Sequence, residues 1–137
     1  MSLNVELLRD SFELVVGKNP DLTVRFYEIL FEKYPQAKPL FSRKGQKEQA
    51  KMLAEALTAV VEHLEDAPWL EQTLGAMGAK HVEYGVTEDM YDWVGDALIT
   101  TLSEVAGPAW NDELKEAWTA AYGAISGLML QGAAKAA

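Results

Sequence analysis

Apolar residues recur at helical spacing along almost the whole chain, and glycine, proline and asparagine interrupt them at intervals typical of helices. Near the start, Leu8, Phe12 and Val15 share one helix face because they lie four and three residues apart. The stretch "VGDALITTL" is rich in β-branched residues, yet its Val94 and Leu98 also follow helical spacing. We therefore expect an all-α fold.

Start and stop signals divide this pattern into six substantial helices and one short turn, which lies in "PQAKPLF". The predicted boundaries are, in chain order, Gly17, Asn19-Pro20, Pro35, about residues 47 and 65, Pro68, about Tyr84 with Gly85, Thr87, Gly107-Pro108 and Asn111. Among these, Gly17 is expected to cap the first helix, and Asn19 with Pro20 is expected to begin the second. A chain of 137 residues suffices for one core, so we expect a single domain over residues 1–137.

The charge balance and the missing cysteines narrow the classes of function. Acidic residues outnumber basic ones by 21 to 12, giving a formal net charge of −9, and no basic cluster is longer than Arg43-Lys44. We therefore expect no nucleic-acid partner. The N-terminal "MSLNVELLRDSF" has neither a basic leader nor a signal-length apolar run, and the chain has no cysteine, so a cytoplasmic location is expected.

Residues 117–134 carry no charge and are about as long as a minimal membrane span. The segment nevertheless contains Thr119, Ser126, Gln131 and three glycines, so it is apolar only on average. We expect a core helix here and no membrane span.

His81 shares a helix face with Leu70, Leu74 and Met77, which predicts that it points inward. An inward histidine is more often a hydrogen-bonded core residue than a ligand, so the pattern alone leaves both readings open. A bare metal ion would need further ligands, but His63 is eighteen residues away and no cysteine exists, which argues against zinc. Haem iron needs only one such base, because the porphyrin supplies four nitrogens.

Several stretches agree in order and spacing with one known group of proteins. "FYEILFEKYPQAKPLF", "QAKML", "AKHVEYGV", "YDWVG" and "AWTAAYG" resemble the single-domain bacterial haemoglobins and the globin domain of flavohaemoglobins. The resemblance covers residues 5 to 135, and it is the ordered set that is specific, since each motif alone occurs by chance. It implies a globin fold, with helices crossing at steep angles around a pocket for haem b.

The resemblance also implies a role for each matching position. His81 would be the proximal iron ligand, Tyr27 and Gln49 the distal pair, Phe41 the aromatic packed on the haem, and Lys80 a neighbour of a haem propionate. The other implied haem contacts are Leu53 and Leu57 on the distal wall and, around the haem edge and proximal side, Val86, Tyr91, Val94, Trp118, Tyr122 and Ile125.

These implied positions differ in how much they say about function. Leu53, Leu57, Val94 and Ile125 would be buried in any helical protein. Tyr27 and Gln49 say more, because two polar side chains at one apolar centre point to a polar ligand between them.

The chain departs from the family pattern near its C-terminus. In the relatives, a tyrosine matching Tyr91 and a glutamate late in the last helix form a hydrogen-bond network with the proximal histidine. Ala133 stands in the place of that glutamate. We therefore expect the second ring nitrogen of His81 to donate to a backbone carbonyl one turn back, near Met77.

The implied function is the reversible binding of oxygen, nitric oxide or carbon monoxide, with oxygen binding, transport or scavenging as the main role. A competing function is nitric oxide dioxygenation, which consumes an electron in each cycle. Flavohaemoglobins supply that electron from a fused flavin module, but no G-x-G-x-x-G loop is present in this chain, so a separate reductase is expected. The sequence leaves open whether the chain forms a homodimer.

Overall fold

A computed structural model describes residues 4–41, 46–83 and 85–136, and these residues form helices joined by short connections. The α-helices are α1 (Val5–Lys18), α2 (Leu22–Lys33), α3 (Gln46–Glu62), α4 (Ala67–Glu83), α5 (Glu88–Ala106) and α6 (Asp112–Ala136). Short 3-10 turns cover Pro35–Phe41 and Gly107–Ala109. No strand occurs in this described part, so the all-α prediction with six main helices is confirmed.

The first two helix boundaries differ from the predicted ones. α1 continues past Gly17 to Lys18, and the N–H of Asn19 donates to the carbonyl of Val15 at 2.9 Å. The Asn19 side chain then accepts from the N–H of Asp21 at 3.0 Å, which forms a turn through Pro20. Because Asn19 is used in this turn, α2 begins at Leu22 rather than at Pro20.

α3 ends at Glu62 rather than near residue 65, because the chain turns there and the N–H of Asp66 donates to the His63 carbonyl at 2.9 Å. The other later boundaries follow the predicted signals. Gly85 and Gly107 have positive φ values of 84° and 58°, which glycine adopts without steric cost, and they lie where α4 and α5 end. The side chain of Asn111 accepts from the N–H of Leu114 at 2.9 Å and caps α6 as expected.

The core lies among α1, α2, α3, α5 and α6. Leu8, Leu30 and Leu102, from α1, α2 and α5, are each 1% exposed, and Trp118 of α6 joins the same cluster. Full burial of each such side chain contributes about 1.5 to 3 kcal/mol to stability. α4 lies outside this cluster and packs mainly on α6.

Charged side chains tie the helices together at the surface. Arg25 of α2 binds both carboxylate oxygens of Glu104 on α5, at 2.6 and 2.7 Å. Arg9 of α1 donates to the carbonyls of Val61 and Glu62 near the end of α3. These contacts connect α2 to α5 and α1 to α3.

α6 is the longest helix and contains the uncharged stretch 117–134. Among the helices of the described residues, none has the length and apolar content that a membrane crossing requires.

Candidate functional site

His81 lies in the last turn of α4 and is oriented by the backbone of its own helix. Its Nδ1 lies 2.6 Å from the carbonyl oxygen of Met77, as the sequence predicted. A carbonyl can only accept, so Nδ1 bears the proton and donates. In the neutral ring, Nε2 then carries the lone pair, which is the form of imidazole that coordinates a metal.

The imidazole is half-buried and faces an aromatic neighbour. Its ring centroid lies 6.4 Å from that of Tyr91 on α5, at an angle of 34°. The His81 carbonyl accepts from the N–H of Val86 at 3.0 Å, which closes the turn between α4 and α5. Tyr91 is 7% exposed, and burial raises the pKa of its phenol.

Tyr122 of α6 lies behind Tyr91. Its hydroxyl donates to the backbone carbonyl of Tyr91 at 2.6 Å. Its ring lies close against Gly95, where a Cβ would be 2.7 Å from the nearest ring atom. Burial first, then the nearby Tyr91 and Asp92, raises the pKa of Tyr122 well above its usual range. The structure thus joins Tyr91 to both His81 and Tyr122, three residues that the resemblance singled out.

Tyr27 is a buried phenol on α2. It is 5% exposed, and its ring lies against those of Phe26 and Phe31, with centroids 5.0 and 5.9 Å away. Burial raises the pKa of Tyr27 to about 12. The hydroxyl therefore keeps its proton at neutral pH, which lets it act as a hydrogen-bond donor.

A side-chain hydrogen bond connects α2 to the start of α3. The buried hydroxyl of Thr23 donates to the carbonyl of Ala50 at 2.7 Å. Thr23 lies one turn before Tyr27, and Ala50 follows the half-buried Gln49, so this bond fixes the helices that carry the predicted distal pair. Thr23 was not among the predicted site residues. A polar residue four positions before Tyr27 on the apolar face could have indicated it.

The remaining predicted residues are more dispersed. Leu53 and Val94 pack against the core cluster, while Ile125 is half-buried and Lys80 exposed. Leu57 lines a small cavity of about 70 Å³ between α1, α2 and α3. Phe41 ends the first 3-10 turn, and its side chain lies outside the described residues.

Trp118 contacts α1. Its indole N–H donates to the hydroxyl of Ser11 at 2.9 Å, and its ring centroid lies 6.3 Å from that of Phe12. These contacts account for its burial within the core.

His63, the other histidine of the chain, lies just after the end of α3. Its ring stacks on Trp69 with centroids 3.9 Å apart and planes 9° from parallel. Its Nδ1 lies 2.7 Å from the Ala59 carbonyl oxygen. It is half-buried, and its neighbours give it a packing role between α3 and α4.

The donor set suits haem iron. In the part of the chain that the structure describes, no group of three histidine or carboxylate side chains is arranged to hold a metal ion. His81 instead offers one imidazole, whose Nδ1 is held by the Met77 carbonyl. One axial base is what a porphyrin-bound iron needs from a protein, so the residues present fit haem.

Comparisons with known proteins agree in covering most of the chain. A family model for Globin matches residues 24–129. A flavohemoprotein of Bacillus thuringiensis subsp. konkukian is 32% identical over 124 residues, and one of Bordetella pertussis is 38% identical over 113 residues. These matches cover 89% and 80% of this chain but only 30% and 28% of the relatives' length. The solved structure of a bacterial globin from Campylobacter jejuni gives a TM-score of 0.82 at 28% identity, covering 96% of this chain and 94% of that one.

Proposed function

The chain belongs to the globin family, and from that premise we propose that it binds haem b through His81 and uses it to bind oxygen reversibly. The observation that supports this most directly is the hydrogen bond from Nδ1 of His81 to the Met77 carbonyl. It selects the imidazole tautomer that an axial ligand needs.

Haem supplies an iron that binds diatomic gases, including oxygen, nitric oxide and carbon monoxide. The side chains of this protein then decide which ligand is held and for how long. Tyr91 and Tyr122 form the wall beside His81, and their contact through the Tyr91 carbonyl keeps that wall in place.

Tyr27 is the proposed donor to the gas ligand, with Gln49 as a second polar group. A ligand that gathers negative charge is stabilised by a buried O–H donor, and such a bond contributes about 1.5 to 3 kcal/mol. This corresponds to oxygen release that is roughly ten to a hundred times slower than without the donor. Slow release suits storage or scavenging better than bulk delivery.

The alternative is nitric oxide dioxygenation with an electron donor outside residues 1–137. The flavohemoprotein relatives are the reason to consider this alternative. This chain spans only about 30% of their length, so most of each relative lies outside the matched region. In this alternative a separate reductase would be a partner of the protein.

The test compares two rates: nitric oxide consumption by the purified protein with a generic reductase, and reduction of its ferric form in cell extract. We expect the visible spectrum to change reversibly when oxygen is added and removed. We also expect slow reduction of the ferric form to limit nitric oxide consumption, even with a generic reductase present. Ferric reduction in cell extract that keeps pace with this nitric oxide consumption would favour the dioxygenase, and reduction that falls behind even a modest nitric oxide flux would favour oxygen binding. A protein that takes up no haem would overturn both functions.

A further inference from the structure

α4 and α6 touch through their backbones at Gly78. Gly78 is buried, and a Cβ built on it would collide with the carbonyl oxygen of Met129 and lie 2.6 Å from its carbonyl carbon. Gly75, one turn earlier on α4, makes a second such contact with Gly132 of α6. A Cβ on Gly132 would collide with the carbonyl oxygen of Gly75. Real side chains do not tolerate such distances, so the two helices can lie this close only with glycine at these positions.

The same peptide unit connects this contact to His81. The Met77 carbonyl, which accepts from Nδ1 of His81 at 2.6 Å, belongs to the planar peptide group that ends at the Cα of Gly78. Pushing Gly78 away from Met129 therefore moves the group that orients the imidazole.

α6 also positions α5, which carries Tyr91 on the other side of His81. Tyr122 joins α6 to α5 by its bond to the Tyr91 carbonyl and by its ring against Gly95. The separation between His81 on α4 and Tyr91 on α5 is thus set by how closely each helix approaches α6. Gly78 sets that approach for α4.

We propose that Gly78 is a positioning residue for the proximal ligand, a role that rests on the proposed haem ligation by His81. Its missing side chain lets α4 lie directly on the Met129 backbone, and this contact places the imidazole relative to Tyr91. Glycine inside a helix is less favourable than alanine, and the contact with Met129 gives a packing reason for it at this position.

The experiment compares Gly78→Ala with Gly75→Ala in the same helix. A Cβ on Gly75 would meet only the Cα of Gly132, at 4.0 Å, which is an ordinary contact. Alanine is the better helix former at both positions, so the pair isolates the contact with Met129. Gly78→Ala should shift the iron–histidine stretching frequency of the ferrous protein and speed haem release at least about tenfold, as for other groups that orient metal ligands. Gly75→Ala should match the parent.

The same substitution in a His81→Gly protein distinguishes positioning of the His81 ring from a general loosening of the haem pocket. In His81→Gly with imidazole added as the proximal base, the ligand is not attached to α4. Gly78→Ala should then leave the stretching frequency at the value of the His81→Gly protein. A shift of equal size in both backgrounds, or no shift in either, overturns the positioning role.

Two further outcomes are also decisive. If Gly78→Ala does not fold, Gly132→Ala separates the same helices at the other contact: a shifted frequency supports the role, and a parental one overturns it.

If the parent itself binds no haem, the proposed function fails, and the haem-free protein decides the inference. Nuclear Overhauser contacts between the rings of His81 and Tyr91 should then weaken in Gly78→Ala and persist in Gly75→Ala; equal contacts in both overturn it.

Discussion

At the scale of single residues, the phenol of Tyr27 is the group from which ligand release is most directly predicted. We expect Tyr27→Phe to raise the oxygen dissociation rate about tenfold or more, because the donor is lost while the ring remains. Stopped-flow displacement of oxygen by carbon monoxide measures this rate. The matched control is Tyr34→Phe, which removes a hydroxyl that donates to Asp96 at 2.8 Å, and it should leave the rate unchanged. An unchanged rate in Tyr27→Phe would mean that Gln49 or water supplies the hydrogen bond instead.

The same residue predicts how stability depends on alkaline pH. Burial raises the pKa of Tyr27 to about 12, whereas the unfolded phenol loses its proton near pH 10. Between these values the unfolded chain binds fewer protons than the folded one, so the free energy of unfolding falls as pH rises. The slope from this group reaches at most about 1.4 kcal/mol per pH unit and vanishes well below pH 10.

Urea unfolding of the parent and of Tyr27→Phe, at about pH 9 and about pH 11, isolates this contribution from that of other groups. The parent should lose more stability over the interval than the variant does. Equal losses would show that the phenol ionises alike in the folded and unfolded chain.

At the scale of helices, the junction of α2 with α3 depends on one buried hydroxyl. Thr23 donates across to Ala50 at 2.7 Å, whereas the exposed Thr58 donates to Ala54 within α3 at 2.8 Å. We expect Thr23→Val to lower the free energy of unfolding by about 1 kcal/mol, the usual net value of a buried hydrogen bond. Thr58→Val should change it little.

Because the Thr23 bond lies beside both members of the distal pair, Thr23→Val should also speed oxygen release, which Thr58→Val should not. Denaturant unfolding and stopped-flow oxygen release measure the two effects. Equal stability losses in the two valine variants would mean that the bond between helices adds nothing beyond a local one.

The elements also show what the sequence could predict. Helical periodicity is a local property, so the six helices followed from it, and the hydrogen bond from His81 to Met77 followed from one helical turn. The predicted end of α1 at Gly17 was wrong because Asn19, two residues on, provides the cap and turn. Local signals place a boundary within a turn but do not choose between adjacent capping residues.

At the scale of the whole molecule, contacts between helices distant in the chain were harder to predict from the sequence than the helices themselves. The approach of Gly78 to Met129 joins residues far apart in the chain, and no spacing rule specifies which helix faces meet. The stacking of His63 on Trp69 was missed for a similar reason, because it depends on how the chain turns between α3 and α4. The family resemblance supplied much of this arrangement, and the Globin match over residues 24–129 confirmed the family.

Haem titration of the purified protein, followed by its visible spectrum, tests whether His81 is the iron ligand. The parent should bind one equivalent and give a five-coordinate ferrous spectrum that changes reversibly with oxygen. His81→Ala should lose stable binding or that spectrum, because the axial base is gone. His63→Ala, which removes the other histidine, should change neither. Loss of binding in both variants to the same extent, or normal spectra in His81→Ala, would contradict the assignment of His81 as the iron ligand.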